Sequence, residues 1–222
     1  MTRAATSRAT STVPLVDEIT AVIRERIYSN HYAPGARLRQ EHLCQELGIS
    51  RTPLREAFRT LEQEGLIRTE PGKGARVVTG DIDTLIAAYQ LRAVVDGLAA
   101  RLVAESPHHT RTRELRQAIA LQVRAIDPWD AQQYSNCNVA FHERITDLTG
   151  NEFVRGETSL IRMTAQVFTP VAVVERDSAV RAIDEHKEIL EAIEAGDGPR
   201  AERLARNHIE HTIAELRERY DR

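Results

Sequence analysis

The chain has 222 residues and a formal net charge of −3, and 41% of its residues are hydrophobic and 28% are charged. This composition suits a soluble protein of one large or two small domains, and the lack of an apolar run of about 20 residues excludes a membrane-spanning chain. The two cysteines, Cys44 and Cys137, are too few for a disulfide framework and too far apart for a zinc finger, so we expect reduced thiols in a cytoplasmic protein.

The charged residues are unevenly distributed along the chain. Residues 1–80 hold 12 basic and 9 acidic side chains, whereas residues 81–222 hold the remaining 18 and 24. A basic first third joined to an acidic remainder is typical of a nucleic-acid-binding domain attached to a domain with another task. Residues 1–12 are rich in Ala, Thr, Ser and Arg and lack the apolar stretch of a signal peptide, so they are predicted to be a disordered arm.

Helical periodicity begins at Val16. Apolar residues recur at a spacing of three and four up to Ile27, and Asn30 is placed to end this helix because asparagine tolerates a left-handed backbone. A short helix is predicted over 40–47. A third helix is predicted over 51–64, with Ser50 as its N-cap.

A β-hairpin is predicted to follow these helices. Residues 66–69 and 75–79 are β-prone runs, and the turn sequence at 70–74 lies between them. The order of helix, helix, turn, helix and hairpin predicts a winged helix-turn-helix domain over residues 13–79.

The third helix carries basic residues on one face. Arg51, Arg55 and Arg59 are spaced four residues apart, away from the apolar stripe of the same helix. The planar guanidinium matches the acceptors of guanine, and a recognition helix inserts its N-terminal residues deepest into the major groove. We therefore expect Arg51 and Arg55 to contact bases and Arg59 to contact a phosphate, with Gly72 and Lys73 contacting DNA from the hairpin tip. The alternative is a solvated basic face.

Beyond Gly80 only helical patterns occur, and they predict an all-α bundle over residues 80–222. Asp81, Asp127 and Asn151 are suitable N-caps, and Pro128 would occupy the first position of its helix. The six predicted helices cover about 81–105, 110–126, 127–149, 151–170, 178–195 and 199–222.

Three histidines of the bundle lie on or beside core-facing stripes. They are His142, His186 and His208, and Asn138 lies one turn before His142. A buried imidazole requires a hydrogen bond or a metal ion, and three histidines with one oxygen ligand suit zinc, nickel, iron or manganese. The alternative is that each is a hydrogen-bonded core histidine. His211 competes with His208 for this role, whereas His108 and His109 fall in a polar loop.

The chain resembles a known family of bacterial regulators. Residues 16–78 resemble the DNA-binding domain of the GntR family, through PGARLRQEHLCQELGISRTPLREAFRTLEQEGLI and PGKGARV. We count Thr52, in the core of the first string, among the expected DNA contacts. The helical remainder resembles the FCD-type ligand-sensing domain through three motifs, Leu91-Arg92-x-x-x-Asp96, Phe141-His142 with Gly150-Asn151, and His186-x-x-Ile189-Leu190-x-Ala192-Ile193-x-x-Gly196-Asp197.

The resemblance covers nearly the whole chain after residue 12 and implies a function. It implies a homodimer on a short palindromic operator of double-stranded DNA and a pocket in the bundle for a metal or a carboxylate. The metal-binding members of the family usually carry Asp where this chain has Asn138, whose neutral amide is a poorer ligand. The resemblance also places Arg92 and Arg162 near the pocket, where they could hold a carboxylate by bidentate hydrogen bonds. The alternative is that they form ion pairs, Arg92 with Asp96.

The resulting expectation is a transcription repressor whose operator affinity is controlled by a small organic or sugar acid, with a divalent metal in the pocket. One alternative is a metal-dependent hydrolase fused to a DNA-binding domain. Against it, the sequence has no nucleophile motif and no glycine-rich phosphate loop. A second alternative is an architectural DNA-binding protein, which needs no pocket.

Overall fold

The computed structural model describes residues 15–70, 74–169 and 174–220. The chain divides after Val78 into two compact units. Helices predominate, and all strands of the described residues lie in the N-terminal unit. No helix within the described ranges is both long enough and apolar enough to cross a membrane. The predicted class, a winged helix-turn-helix followed by an all-helical bundle, is confirmed, whereas the predicted arm over 1–12 lies outside the described residues.

The N-terminal unit combines three helices with a small antiparallel sheet. Its elements are α1 (Leu15–Tyr28), β1 (Arg37–Leu38), α2 (Gln40–Leu47), α3 (Arg51–Gln63), β2 (Ile67–Glu70) and β3 (Gly74–Val77). The strands lie in the order β1-β3-β2. Both α1 and α2 pack against α3, so the sheet and the helices form one small domain.

The apolar stripes predicted for α1 and α3 form the core of this unit. Ile23, Ile27, Leu54 and Phe58 are each no more than 1% exposed. Asn30 follows α1 with a φ of 59°, the left-handed backbone expected of it. Ser50 occupies the N-cap position of α3, but its side chain makes no capping hydrogen bond.

Strand β1 was not predicted from the sequence. It has only two residues, and Arg37 and Leu38 pair with Arg76 and Ala75 of β3. The close approach of these strands depends on Gly74, because a Cβ placed there would lie 2.4 Å from the carbonyl oxygen of Leu38. A two-residue strand carries no alternation of its own, so only the pairing reveals it.

The C-terminal unit is entirely helical within the described residues. Its elements are α4 (Ile82–Ala104), α5 (Arg113–Arg124), α6 (Ala131–Leu148), α7 (Glu152–Gly156), α8 (Thr158–Arg162), a π-helix (Met163–Phe168), α9 (Arg176–Glu194) and α10 (Gly198–Tyr220). Helix α4 packs against α6, α9 and α10, and α5 packs against α6 and α9. Asp81 caps α4 as predicted, because its side chain accepts a hydrogen bond from the amide of Thr84. The core thus lies between these long helices.

The predicted start of α6 was wrong. The helix begins at Ala131, and its cap is Asp130, whose side chain accepts a hydrogen bond from the amide of Gln133. Asp127 and Pro128 lie in the preceding turn and are joined by a cis peptide bond. The amide of Asp130 donates to the carbonyl of Ala125 and closes this turn, so the helix cannot start before it.

The single helix predicted over 151–170 was also wrong. Asn151 does cap a helix, but α7 ends after five residues, and α8 and the π-helix follow. Within the π-helix, the hydroxyl of Thr164 donates to the carbonyls of Leu160 and Ile161. Side-chain hydrogen bonds of this kind compete with the regular backbone ladder, and π-helical turns are often found at functional sites.

Candidate functional site

Helix α3 presents a polar face opposite its buried stripe. Arg51, Thr52, Arg55 and Arg59 are all exposed. The guanidinium of Arg51 lies 3.0 Å from Glu41 and that of Arg59 lies 2.7 Å from Glu56. Arg55 makes no ion pair with any described residue, so its donors are available to a partner.

Two further arginines lie near the polar face of α3. Arg37 and Arg39 border the same concave surface as the three arginines of α3. Arg37 lies 3.9 Å from Glu70, whereas the exposed Arg39 has no ion-pair partner among the described residues. Neither was predicted from the sequence, because Arg37 lies in β1 and Arg39 directly follows it, outside the helical spacing that indicated the others. The predicted contacts Gly72 and Lys73 lie outside the described residues.

The three predicted histidines come together in the C-terminal unit. His142, His186 and His208 extend from α6, α9 and α10 and are each no more than 5% exposed. One nitrogen from each ring lies within 4.8 Å of the corresponding nitrogens of the other two. The Nε2 atoms of His186 and His208 are 3.2 Å apart.

A hydrogen-bond acceptor fixes the Nδ1 atom of each ring. Nδ1 of His142 lies 3.0 Å from a carboxylate oxygen of Asp96, and Nδ1 of His208 lies 2.6 Å from one of Glu185. Nδ1 of His186 lies 2.8 Å from the side-chain oxygen of Gln122. The amide nitrogen of Gln122 donates to the carbonyl of Cys137, which assigns its oxygen to the histidine. The geometry therefore favours a proton on every Nδ1 and a lone pair on every Nε2.

These lone pairs face one another in a buried space. Nε2 of His142 is buried and makes no hydrogen bond within the part of the chain that the structure describes. Two unprotonated nitrogens 3.2 Å apart cannot form a hydrogen bond with each other. A cation between them would accept a lone pair from each. The residues thus fit a divalent metal, because three neutral imidazoles anchored by outer hydrogen bonds form a common ligand set.

Burial keeps two of these imidazoles neutral. Removal from water, together with the nearby charge of Arg92, lowers the pKa of His142 to about 4. Burial and the neighbouring His208 hold the pKa of His186 well below its ordinary value. Metal ligation requires the neutral form of histidine, so the electrostatics favour the same role as the geometry.

A cavity of about 120 Å³ opens beside the histidines. Its lining includes His208, Asn138 and Arg92. Six further lining residues carry hydroxyl groups, namely Tyr89, Tyr134, Ser135, Thr169, Ser178 and Thr212. The lining also holds two carboxylates, those of Glu175 and Glu215, and each pairs with an arginine. Asn138 is half-buried in this lining. The structure therefore brings the predicted amide to the same space as one of the predicted histidines.

Arg92 forms an ion pair and also reaches the cavity. It is 2% exposed, and its Nε donates to Asp96 over 3.2 Å while its Nη1 donates to the hydroxyl of Thr164 over 3.2 Å. Its buried Nη2 has no hydrogen-bond partner among the described residues. Burial alone would raise the pKa of Asp96, but the charge of Arg92 and the hydrogen bond from His142 outweigh it and hold this pKa below its ordinary value. A fixed, charged guanidinium with a spare donor suits an anionic ligand.

The structure does not bring Arg162 to this cavity. Its Nε and Nη2 donate to the carboxylate of Glu143, and it is absent from the cavity lining. His211 is exposed and bonds to the other carboxylate oxygen of Glu185, so His208 is the histidine of α10 that joins the cluster. Glu185, Gln122 and Asp96 were not identified as anchors from the sequence, because only the folded chain places them beside the three rings.

Comparison with known proteins gives matches over both units. The model for bacterial regulatory proteins of the gntR family matches residues 15–77, and the FCD domain model matches residues 87–211. The "Probable D-xylose utilization operon transcriptional repressor" of Paenarthrobacter nicotinovorans is 27% identical, over 92% of this chain and 90% of that protein. The galactonate operon transcriptional repressor of Escherichia coli K12 is 24% identical, over 93% and 99%.

A similar chain has also been solved. Escherichia coli McbR/YncC matches with a TM-score of 0.79 and 21% identity, over 94% of this chain and 100% of that chain. At this identity the likeness concerns the fold.

Proposed function

This chain belongs to the GntR family of bacterial DNA-binding transcription regulators and carries an FCD domain, and from this premise we propose that it is a repressor controlled by a small organic or sugar acid bound beside a divalent metal. The observation that carries the metal proposal is the set of three buried histidines, each of which offers a ring nitrogen within 4.8 Å of those of the other two. The family consists of transcription regulators, so we propose no catalytic role for the histidines.

The metal would be held by residues that are already oriented. His142, His186 and His208 would bind through Nε2, and Asn138 would add its side-chain oxygen. A bound divalent ion supplies a Lewis acid to which an anionic oxygen of the effector can bind. Asp96, Gln122 and Glu185 would keep the three rings in the ligating tautomer.

The chemistry of the cavity suggests the effector class. Arg92 offers one spare donor for a carboxylate, and the hydroxyl-rich lining offers partners for hydroxyl groups of the ligand. The cavity of about 120 Å³ is well below the roughly 300 Å³ at the lower end of common ligand pockets, so the effector should be small. One relative is named for an operon of galactonate, which is a sugar acid of this class.

A thermal-shift screen tests this effector class directly. The zinc-loaded protein would be heated with D-galactonate, D-xylonate, citrate and lactate, and with D-xylose and D-galactose as uncharged controls. A ligand present at about 100 times its dissociation constant should add about 2.7 kcal/mol of stability. Arg92→Lys should reduce the shift given by an acid, because a compact ammonium cannot replace a guanidinium that is held by Asp96 and Thr164 and still has a donor free for the acid. Stabilisation by the uncharged sugars alone would overturn the proposal of an acid.

We further propose that α4 carries a homodimer interface. Leu91, Val94 and Leu98 are 52%, 51% and 41% exposed and lie three and four residues apart, so they form one apolar stripe. The opposite face of α4 packs on α10. The expected partner is a second copy of the chain, because a palindromic operator requires two recognition helices related by a two-fold axis.

A further inference from the structure

The π-helix over Met163–Phe168 lies between the cavity and the start of α4. Ala165 and the following Thr169 belong to the cavity lining. Phe168 packs on the apolar cluster formed by Leu85 and Tyr89 of α4 with residues of α10. One short segment thus contacts the cavity with one part and the first turns of α4 with another.

Two hydrogen-bonding side chains of α4 hold this segment at the cavity. Nη1 of Arg92 donates to the hydroxyl of Thr164 over 3.2 Å. The hydroxyl of Tyr89 lies 3.4 Å from the carbonyl of Thr164 and 3.3 Å from the hydroxyl of Thr169. Arg92 and Tyr89 line the cavity themselves, so a ligand that bonds to either of them acts on a side chain that positions the π-helix.

The other end of the segment lies against Gly80. A Cβ placed on Gly80 would lie 3.0 Å from one ring carbon of Phe168 and within 3.3 Å of two more. The ring therefore occupies the space that a side chain at position 80 would need. Gly80 directly precedes the cap of α4, and only Thr79 separates it from the last residue of the N-terminal unit.

We propose that the π-helix transmits the state of the cavity to the interdomain linker, from Arg92 through Thr164 and Phe168 to Gly80. This inference rests on the proposed effector site and assigns its regulation. An acid that draws the guanidinium of Arg92 away from Thr164 releases the π-helix, and Phe168 moves against Gly80. Because packed segments switch between discrete arrangements, a small shift at one end changes the packing at the other.

Hydrogen exchange on the full-length chain tests the route without an effector or a metal. Thr164→Val keeps the shape of the side chain and removes the hydroxyl that bonds to Arg92. We expect amide exchange across 81–86 to accelerate about fivefold, the change that follows loss of one ordinary hydrogen bond. Thr164→Ser, which keeps the hydroxyl, should exchange like the wild type.

The matched control is Thr146→Val. Thr146 is another buried threonine whose hydroxyl donates to a helix carbonyl, that of Glu143, but it lies in α6. This variant should leave exchange across 81–86 unchanged. Equal acceleration by Thr146→Val and Thr164→Val would mean general loosening and would overturn the route.

Phe168 provides the second test. Phe168→Ala should accelerate exchange across 81–86, and adding Thr164→Val to it should have no further effect there, because the path is already broken. Phe153→Ala is the matched control, since Phe153 is 81% exposed. Additive effects of Thr164→Val and Phe168→Ala, or unchanged exchange in both, would overturn the proposal. Since no acid or metal is present, failure of the effector site alone would leave these outcomes unaltered.

Discussion

At the scale of single residues, Arg55 should be the sharpest determinant of operator sequence. It is exposed on α3 and has no ion-pair partner among the described residues, so it can approach a base without breaking a salt bridge. Arg55→Ala should cost about 1–3 kcal/mol of specific binding and relax the preference at one base pair. Fluorescence anisotropy with an operator and its point variants measures this. Arg111→Ala, an exposed arginine of the C-terminal unit, should have no effect, and full specificity retained by Arg55→Ala would refute the assignment.

Arg39 should behave differently from Arg55. It borders the same concave surface but lies just before α2 rather than on the recognition helix. We expect Arg39→Ala to weaken operator and scrambled duplexes equally and to lower the salt slope by about one, as for a phosphate contact. A loss confined to the operator would instead assign Arg39 to a base.

Acidification should destabilise the metal-free protein through the buried histidines. The pKa of His142 is about 4 in the folded chain and has the ordinary value of 6.5 in the unfolded chain. Below pH 6.5 the unfolded chain therefore binds a proton that the folded chain does not. Stability therefore falls as the pH falls from 6.5 towards 4, and His142 should contribute about 2 kcal/mol of loss between pH 7 and pH 5. Urea unfolding at both pH values measures this loss. His142→Gln should show a smaller loss and the exposed His108→Gln an unchanged one; equal losses in all three would exclude His142 as the cause.

Some residues of the site could be predicted and others could not. The three histidines were identifiable because each falls on or beside an apolar helical stripe, where an imidazole is unusual. Arg92 was identified through the family resemblance; it pairs with Asp96 and also lines the cavity. Gln122 and Glu185 carry no such signal, since each is an ordinary helical residue until the fold places it against a ring. Arg162 was expected at the pocket but pairs with Glu143, because position on a helix face does not specify which neighbour the side chain meets.

At the scale of secondary-structure elements, Gly74 should be critical for the wing. Its φ is 96°, and an added Cβ would lie 2.4 Å from the backbone of Leu38, so Gly74→Ala must separate β1 from β3. We expect Gly74→Ala to lower the stability of the N-terminal unit by more than about 2 kcal/mol and to weaken DNA binding. Urea unfolding and anisotropy measure the two effects.

Gly48→Ala is the matched control for this prediction. Gly48 also has a positive φ, 65°, but nothing lies within 4 Å of its added Cβ. Only the backbone cost of about 1 kcal/mol should therefore appear. Equal losses in both variants would show that the contact between β1 and β3 contributes nothing.

The long helices could be predicted and the irregular segments could not. Helices α1, α3 and α4 follow clear apolar periods with identifiable ends, and their predicted bounds are close to the observed ones. The segment after Asn151 has apolar residues at helical spacing too, so periodicity alone favoured one helix. At the π-helix, Thr164 accepts a hydrogen bond from Arg92 of α4 as well as donating one to Leu160, and the local sequence does not encode the bond to α4.

At the scale of the whole molecule, the α4 stripe should decide the oligomeric state. Leu91→Glu with Leu98→Glu would place charges in the proposed interface, where an unpaired buried charge is costly. Sedimentation of the wild type should give about twice the chain mass of 25.0 kDa, whereas the double variant should sediment near 25.0 kDa and lose operator affinity. Phe153→Glu, an exposed position elsewhere, should remain dimeric. A double variant that stays dimeric would place the interface on another surface.

Effector, metal and operator must be linked if the C-terminal unit controls DNA binding. An acid that weakens operator binding by a given factor must itself be bound more weakly by the same factor when operator is present. This reciprocity couples acid binding in the cavity to operator binding by the exposed arginines, whatever the distance between the two sites.

The metal is the central element of the proposed sensor, and a zinc titration of the full-length protein tests it most directly. Competition with a fluorescent chelator would compare wild type, Asn138→Asp, His186→Gln and the exposed His108→Gln. We expect one zinc ion per wild-type chain, binding about tenfold or more tighter in Asn138→Asp because a carboxylate replaces an amide, and loss of binding only in His186→Gln. If wild type and Asn138→Asp are both folded by circular dichroism and neither binds zinc, the buried histidines do not form a metal site.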